Sequence, residues 1–272
     1  MVGKCMKTLL LGSVLLLLFS VNALAAWQYP AESGYGDIPT IGVEELYDQF
    51  KQGKALIVDV RSSIEYSTAH IQSAINIKVS VKDFVKRLQN AVAQNPGKLV
   101  YMYCNGTTCL KSPLATQKAL AAGITGTCSF YDGLPVWAEV YPSATILRGK
   151  PVSDSNKLIP KADFKKMNLG FDDFKAKIAS DSNAMVIDIR DNIQRTASLP
   201  GIDKKVLSIP MDKLIPNFLK KKKHQTKTLF IYDQVGKQVQ ALEYELIDNG
   251  YTNYWFLKKG ATNVLGKQVY KK

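Results

Sequence analysis

The sequence predicts an α/β fold made of two tandem domains, each a small parallel sheet flanked by helices. Three observations lead there. Short apolar runs of strand length alternate with segments of helical periodicity. The whole pattern occurs twice, at a nearly constant offset. The chain, at 272 residues, is long enough for two domains of ordinary size. Strand–helix alternation favours parallel pairing, because each helix carries the chain back across the sheet before the next strand begins.

The repeat is read from matched residues. Asp59 and Asp188 are 129 apart, as are Arg61 and Arg190, and Tyr103 and Tyr232. Gly123 pairs with Gly250 and Gly133 with Gly260 at an offset of 127. The first copy therefore carries two extra residues between Cys104 and Gly123. In that copy 55–60 and 99–103 read as buried strands. Between them, Val81, Phe84, Val85, Leu88 and Val92 mark one face of a helix over 81–93. A second helix is expected over 113–122, with Ser112 as N-cap, Pro113 first and Gly123 just past its end. A strand at 127–131 follows. The second copy repeats the order with strands at 183–189, 228–232 and 254–257 and a helix at 238–248. The expected boundaries are a first domain at 38–142, a linker rich in Pro, Ser and Gly at 143–160, and a second domain at 161–272.

The first 25 residues stand apart. Lys4 and Lys7 make a positive start, an uncharged apolar run extends from Leu9 to Val21, and Ala23-Leu24-Ala25 closes it with a small-x-small pattern. That order of parts reads as a secretory signal peptide, cut before Ala26. The apolar run falls short of the ~20 residues that span a bilayer. The mature chain is therefore expected in the periplasm or outside the cell, with no stable membrane insertion. Losing Lys4 and Lys7 takes the formal charge from +13 to about +11. A surface this basic attracts anions. Four consecutive lysines at 220–223 carry much of the charge, and without interleaved aromatics they read as a solvated loop, so no nucleic-acid partner is expected. His70 and His224 are the only histidines and lie far apart, so neither a metal site nor a cofactor is expected. Beyond the signal three cysteines remain, Cys104, Cys109 and Cys128. An odd count in an exported chain does not fit a simple disulfide scaffold and marks at least one thiol for chemistry.

Sites in open α/β sheets form outside the carboxyl ends of the strands. Cys104 lies there, between a strand and a loop that runs through Gly106 into a helix. Backbone N–H groups and the helix dipole at such a turn favour a thiolate. Cys128 sits within an expected buried strand and reads as core.

Asp59-Val60-Arg61, Glu65-Tyr66, His70-Ile71 and Ala74 resemble the first signature of the rhodanese family. Tyr103-Cys104 with its loop, Gly123, and Asp132-Gly133-Leu134-Pro135-Val136-Trp137 resemble the remainder. The second half resembles the family more weakly, through Asp188-Ile189-Arg190, the Asp233 loop and Gly260. The resemblance implies a sulfurtransferase. Cys104 would take sulfane sulfur from a small anionic donor such as thiosulfate and pass it, as a persulfide, to cyanide, a small thiol or a protein thiol partner. It further implies that the amides of Asn105, Gly106, Thr107, Thr108 and Cys109 cradle the charge, that Lys111 assists an anionic donor, and that Asp59 and Arg61 support the site. Glu65 and His70 read as architectural.

Two departures from the family pattern matter. Cys104 to Lys111 is eight residues where the family usually has six, and the loop contains Cys109, a candidate resolving thiol for a dithiol–disulfide couple. In the second copy Asp233 replaces the nucleophile, which implies a silent domain. The alternatives are an extracytoplasmic thiol–disulfide redox protein using Cys104 and Cys109, or a non-catalytic binding module.

Overall fold

The computed structural model describes residues 27–152, 159 and 161–266. The expected signal peptide and residues 153–158 and 160 of the expected linker lie outside them. No helix among the described residues is long and apolar enough to cross a membrane.

The first half contains β1 (Thr40–Ile41), α1 (Val43–Lys51), β2 (Ala55–Asp59), α2 (Ser63–Thr68), β3 (Ala69–Ile71), β4 (Ile75–Asn76), α3 (Phe84–Ala93), β5 (Leu99–Tyr103), α4 (Lys111–Ala121), β6 (Thr127–Phe130), α5 (Gly133–Val140), β7 (Thr145–Leu147) and β8 (Lys150–Pro151). The second contains α6 (Lys161–Lys166), β9 (Asn168–Leu169), α7 (Phe171–Ser180), β10 (Ala184–Asp188), β11 (Val206–Ser208), α8 (Met211–Leu214), β12 (Thr228–Tyr232), α9 (Gln238–Asp248), β13 (Tyr254–Leu257) and α10 (Thr262–Leu265). Each half builds a five-stranded, wholly parallel sheet, in the order β1-β6-β5-β2-β4 and β9-β13-β12-β10-β11. The two orders match strand for strand, so the repeat seen in the sequence is a repeat of topology.

Parallel sheets covered on both faces need strands that are apolar on both faces. Alternate residues of β2 and β5 supply them. Val58, Val100 and Met102 pack with Phe84, Leu88 and Ala115 on one side. Ile57, Tyr101 and Tyr103 pack with Leu46, Phe130 and Trp137 on the other. Ile187 and Ile231 against Val186 and Phe230 divide the second sheet in the same way.

Several expected boundaries move. Residues 143–152 are not a free linker: β7 pairs antiparallel with β3, and β8 with β7, forming a three-stranded sheet on the first unit. That unit also begins before residue 38, since Tyr29 is buried and Trp27 stacks on Tyr131. The first long helix begins at Phe84 rather than at residue 81. Helix α4 begins at Lys111, with Leu110 at the N-cap, so Ser112 lies inside the first turn and Pro113 is its third residue. A proline is tolerated there because first-turn N–H groups have no partner within the helix. The lysines at 220–223 are exposed in turns, as expected of a solvated loop.

Two glycines seat the loops that follow β5 and β12. Gly133 (φ +66°) lies so close to Cys104 and Gly106 that an added Cβ would sit 2.7 Å from the Cys104 carbonyl oxygen. Gly260 (φ +61°), its counterpart, would place one 2.6 Å from both Asp233 Oδ1 and the Val235 nitrogen. Left-handed backbone and backbone crowding both act against a side chain. We expect Gly133→Ala and Gly260→Ala each to cost at least about 3 kcal/mol in denaturant-unfolding experiments; a loss near that of a surface Gly→Ala change would show that the loops do not need this approach.

Candidate active site

Cys104 follows β5, where the strand gives way to the loop that leads into α4. Its side chain is wholly buried, and polar groups of Cys109, Ser112 and Asn105 meet the sulfur. The thiol donates to the Cys109 carbonyl oxygen at 2.9 Å, and the Ser112 hydroxyl lies 3.2 Å away. The Cys109 thiol and the backbone amides of Ser112 and Asn105 also reach it. Burial by itself would raise the thiol. The hydrogen bonds from Cys109, Ser112 and Asn105 outweigh it and bring Cys104 down to about 7. Cys109 moves the opposite way, held well above the ordinary thiol range by its bond to Cys104 and by burial.

This differs in detail from a cup of amides drawn from 105–109. Thr107 and Thr108 are exposed and turned away. The Cys109 amide is spent on the Gly106 carbonyl, at 2.9 Å. Of the expected cup, the Asn105 backbone amide does reach the sulfur, while its side-chain amide goes to Glu65 at 2.6 Å. The two extra residues bring Cys109 back over the nucleophile, so its thiol and carbonyl fill the space that the loop encloses.

The second copy shows the shorter loop. Asp233, also wholly buried, aims its carboxylate at the start of α9. It accepts N–H bonds from Gly236, from Lys237 at 2.7 Å, Gln238 at 2.5 Å and Val239 at 3.4 Å. These are the donors that a helix start leaves without partners. Burial raises the Asp233 carboxyl, and these amides oppose the rise.

The residues around the first loop are fixed by ion pairs. Arg61 binds Asp59 through Nε at 2.9 Å and Nη2 at 2.5 Å, and reaches Asn105 Oδ1 at 3.2 Å. Arg190 and Asp188 repeat the pair at 3.0 and 2.8 Å. Glu65 closes a capping box with Ser62 at the start of α2. Lys111 is not at a surface waiting for a donor. It is buried and paired with Asp191 of the second unit at 2.6 Å. Lys78 binds the other Asp191 oxygen at 2.8 Å and Asp212 at 2.9 Å. Across the same interface Gln238 donates to Glu65 at 3.0 Å.

The rhodanese-like domain family model matches residues 42–139. Residues 42–139 are a rhodanese-like domain. The second sheet lies beyond the matched span. The chain is 30% identical over 64 residues to the tRNA uridine(34) hydroxylase of Buchnera aphidicola, covering 23% of this chain and 20% of that one. It is 27% identical over 115 residues to an uncharacterized protein of Synechocystis, covering 42% of this chain and 60% of that one. The chain thus spans about a fifth of the first relative and three-fifths of the second. Among solved structures, the human single-domain sulfurtransferase TSTD1 is 28% identical over 37% of this chain and 96% of that one, with a TM-score of 0.32. Thiosulfate sulfurtransferase from Pseudomonas aeruginosa is 17% identical over 86% of this chain and 43% of that one, with a TM-score of 0.36.

Beside the Cys104 loop of the rhodanese-like domain an open cleft of about 580 Å³ runs between the two units. Arg61, Asn105 and Leu134 line one wall; Lys237, Ala241 and Tyr244 line the other. Among the described residues, no group of three or more acidic, cysteine or histidine side chains converges as a metal site. Cys128 is half-buried on β6, packed against the Tyr101 face of the core. His70 stays on β3, bound to the Tyr66 carbonyl at 2.7 Å.

Sequence reasoning missed four contributors: Tyr29, Ser112 as a contact of the sulfur, Asp191 and Gln238. Tyr29 binds Ser129 at 2.9 Å and Ser112 at 3.3 Å, behind the hydroxyl that meets Cys104. Only the repeat offset pointed to the interface residues. Asp191 is the counterpart of Ser62 at 129, and Gln238 of Lys111 at 127.

Burial works to raise the Asp191 carboxyl, but the charges of Lys111 and Lys78 hold it down at about 2. A carboxylate depressed in the folded state stabilises the fold above its unfolded pKa of about 3.9, and that stability is lost as pH falls through the folded value. We expect unfolding free energy to drop between about pH 4 and pH 2, and Asp191→Asn to flatten that slope, with Glu65, whose carboxyl burial would raise but Lys111 and Arg61 hold down, supplying part of what is left. An unchanged slope in the variant would disconnect this ion pair from acid stability.

Proposed function

We propose that the protein is a sulfurtransferase that carries sulfane sulfur on Cys104. The observation that supports this most directly is a thiol drawn down to about 7 by hydrogen bonds at the carboxyl end of a parallel strand, inside a rhodanese-like domain. A thiolate is the nucleophile in such chemistry, and a thiol near neutral pKa is substantially ionised while still basic enough to attack. In the first half-reaction the Cys104 thiolate attacks the outer sulfur of thiosulfate. The S–S bond breaks, sulfite leaves with the electron pair, and Cys104 becomes a persulfide. In the second, a thiophilic acceptor removes the outer sulfur.

Complete burial of Cys104 requires the loop to open for the donor. The exposed Thr107–Thr108 tip is the part least tied to the core. The adjoining cleft offers Lys237 to an approaching anion, while Arg61 on the other wall stays bonded to Asp59. The second unit, with Asp233 in place of a thiol, is silent in this reading, since a carboxylate cannot hold a sulfane sulfur. It closes over the first and shapes the cleft. The amino-terminal segment directs export, so donor and acceptor meet the enzyme in the periplasm or outside the cell.

In a thiosulfate–cyanide assay, Cys104→Ser should lose at least about a thousandfold in rate. Asp233→Asn, which keeps the shape and most of the hydrogen bonds, should stay within a few-fold. Equal loss in both would overturn the division of labour between the units. Transfer should also rise with pH through a midpoint near 7 to a plateau, because only the ionised thiol attacks. Ser112→Ala should move the midpoint upward; an unmoved midpoint would remove Ser112 from the support of the thiolate.

A further inference from the structure

The loop of the rhodanese-like domain holds a second thiol that sulfur transfer to an external acceptor does not use. Cys109 is 2% exposed, and its thiol is hydrogen-bonded to the Cys104 sulfur. Both cysteines are free. The third thiol among the described residues, Cys128, sits in β6 opposite Tyr101 and does not share the loop. Cys109 belongs to the stretch in which the first copy is two residues longer than the second.

Closure of this loop sets a geometric problem for any acceptor. With Cys104 wholly buried, a bulky external thiol meets no surface of the sulfur. Cys109 is already inside, and its contact is with the Cys104 Sγ itself, which is the inner sulfur of a persulfide. Its proton is retained, because the bond to Cys104 and burial both hold the Cys109 thiol above its ordinary range.

We propose that Cys109 discharges the Cys104 persulfide within the closed loop, expelling hydrosulfide and leaving a Cys104–Cys109 disulfide that an external dithiol resets. This rests on the sulfur-transfer reading of Cys104. Cys109 Sγ forms a bond to Cys104 Sγ as the bond from Cys104 Sγ to the outer sulfur breaks. The outer sulfur leaves with that electron pair and takes the Cys109 proton, departing as HS⁻. The sulfane sulfur gains two electrons, one from each cysteine. When the loop opens, as it must to admit the donor, a dithiol of the disulfide-exchange class returns both cysteines to thiols and is itself oxidised to a disulfide. The protein would therefore act as a sulfide-releasing reductase of sulfane sulfur, with the dithiol as its electron source.

The test uses the full chain, reduced, loaded with thiosulfate in the absence of thiol or cyanide, and desalted. Intact mass, peptide mapping and trapped sulfide are then measured. The wild-type chain should be two hydrogens lighter, with a Cys104–Cys109 bridge and about one sulfide released per chain, the stoichiometry of a single exchange. Cys109→Ser and Cys109→Ala should each stay one sulfur heavier at Cys104 and release none. Two variants guard against one that folds poorly, and circular dichroism with thermal unfolding of each reports its fold. A wild-type chain that keeps its added sulfur, while the variants load equally, overturns the discharge step and leaves sulfur transfer standing. Added sulfur found on Cys109 also overturns it, because attack would then have fallen on the outer atom. If the wild-type chain neither gains sulfur nor releases sulfide, and the folded variants gain none, the sulfurtransferase reading fails, and the discharge step with it.

Discussion

A helix that starts where a parallel strand ends presents N–H groups with no partner of their own, and whatever fills the loop in front of them sets what that loop does. Both halves of this chain solve the same problem with different atoms. In the second, the Asp233 carboxylate takes the N–H groups of Gly236, Lys237, Gln238 and Val239. The anion is built in, and those N–H groups are already taken. In the first, the sulfur of Cys104 takes that place, aided by Ser112 and the amide of Asn105, and a longer loop folds Cys109 over it. A thiol at this position is a weaker acceptor than a carboxylate, so the same donors that merely hold Asp233 tune the ionisation of Cys104.

The two loops are also tied to each other. Each helix that follows a loop reaches across to the start of the element after the partner's Asp-x-Arg strand. Lys111 at the start of α4 meets Asp191, and Gln238 at the start of α9 meets Glu65. The contacts are related by the internal repeat but differ in chemistry: one is an ion pair and the other a neutral donor to a carboxylate. Glu65 then passes the contact on to Asn105, and Asn105 to Arg61. The first loop is therefore held by the second unit as much as by its own sheet. A buried charge that loses its partner here is costly, because water cannot replace the partner.

Much of this was legible in the chain. Asp59 with Arg61 and Asp188 with Arg190 recur at one offset, and each pair forms the same buried bridge beneath the same tyrosine, Tyr103 or Tyr232. Strand and helix periods follow from local side-chain order, so most elements lay within a few residues of where the pattern put them. The start of α4 was displaced because Pro113 is tolerated at any position of a first turn, and the pattern alone favoured the first. The segment at 143–152 read as a linker because its composition is that of a loop. It becomes β7 and β8 only because the edge offered by β3 is there to pair with.

By itself the sequence determined the repeat, the parallel sheets, and the placing of Cys104 at a strand end and of Asp233 at its counterpart, since these depend on residue type and spacing along one chain. Only the tertiary structure decided that Lys111 belongs to Asp191, that Ser112 and Tyr29 stand behind the sulfur, and that Cys109 closes over it. Those contacts join positions as much as 83 residues apart. Sequence spacing carries no information about which buried charge will find which partner once two sheets have packed together.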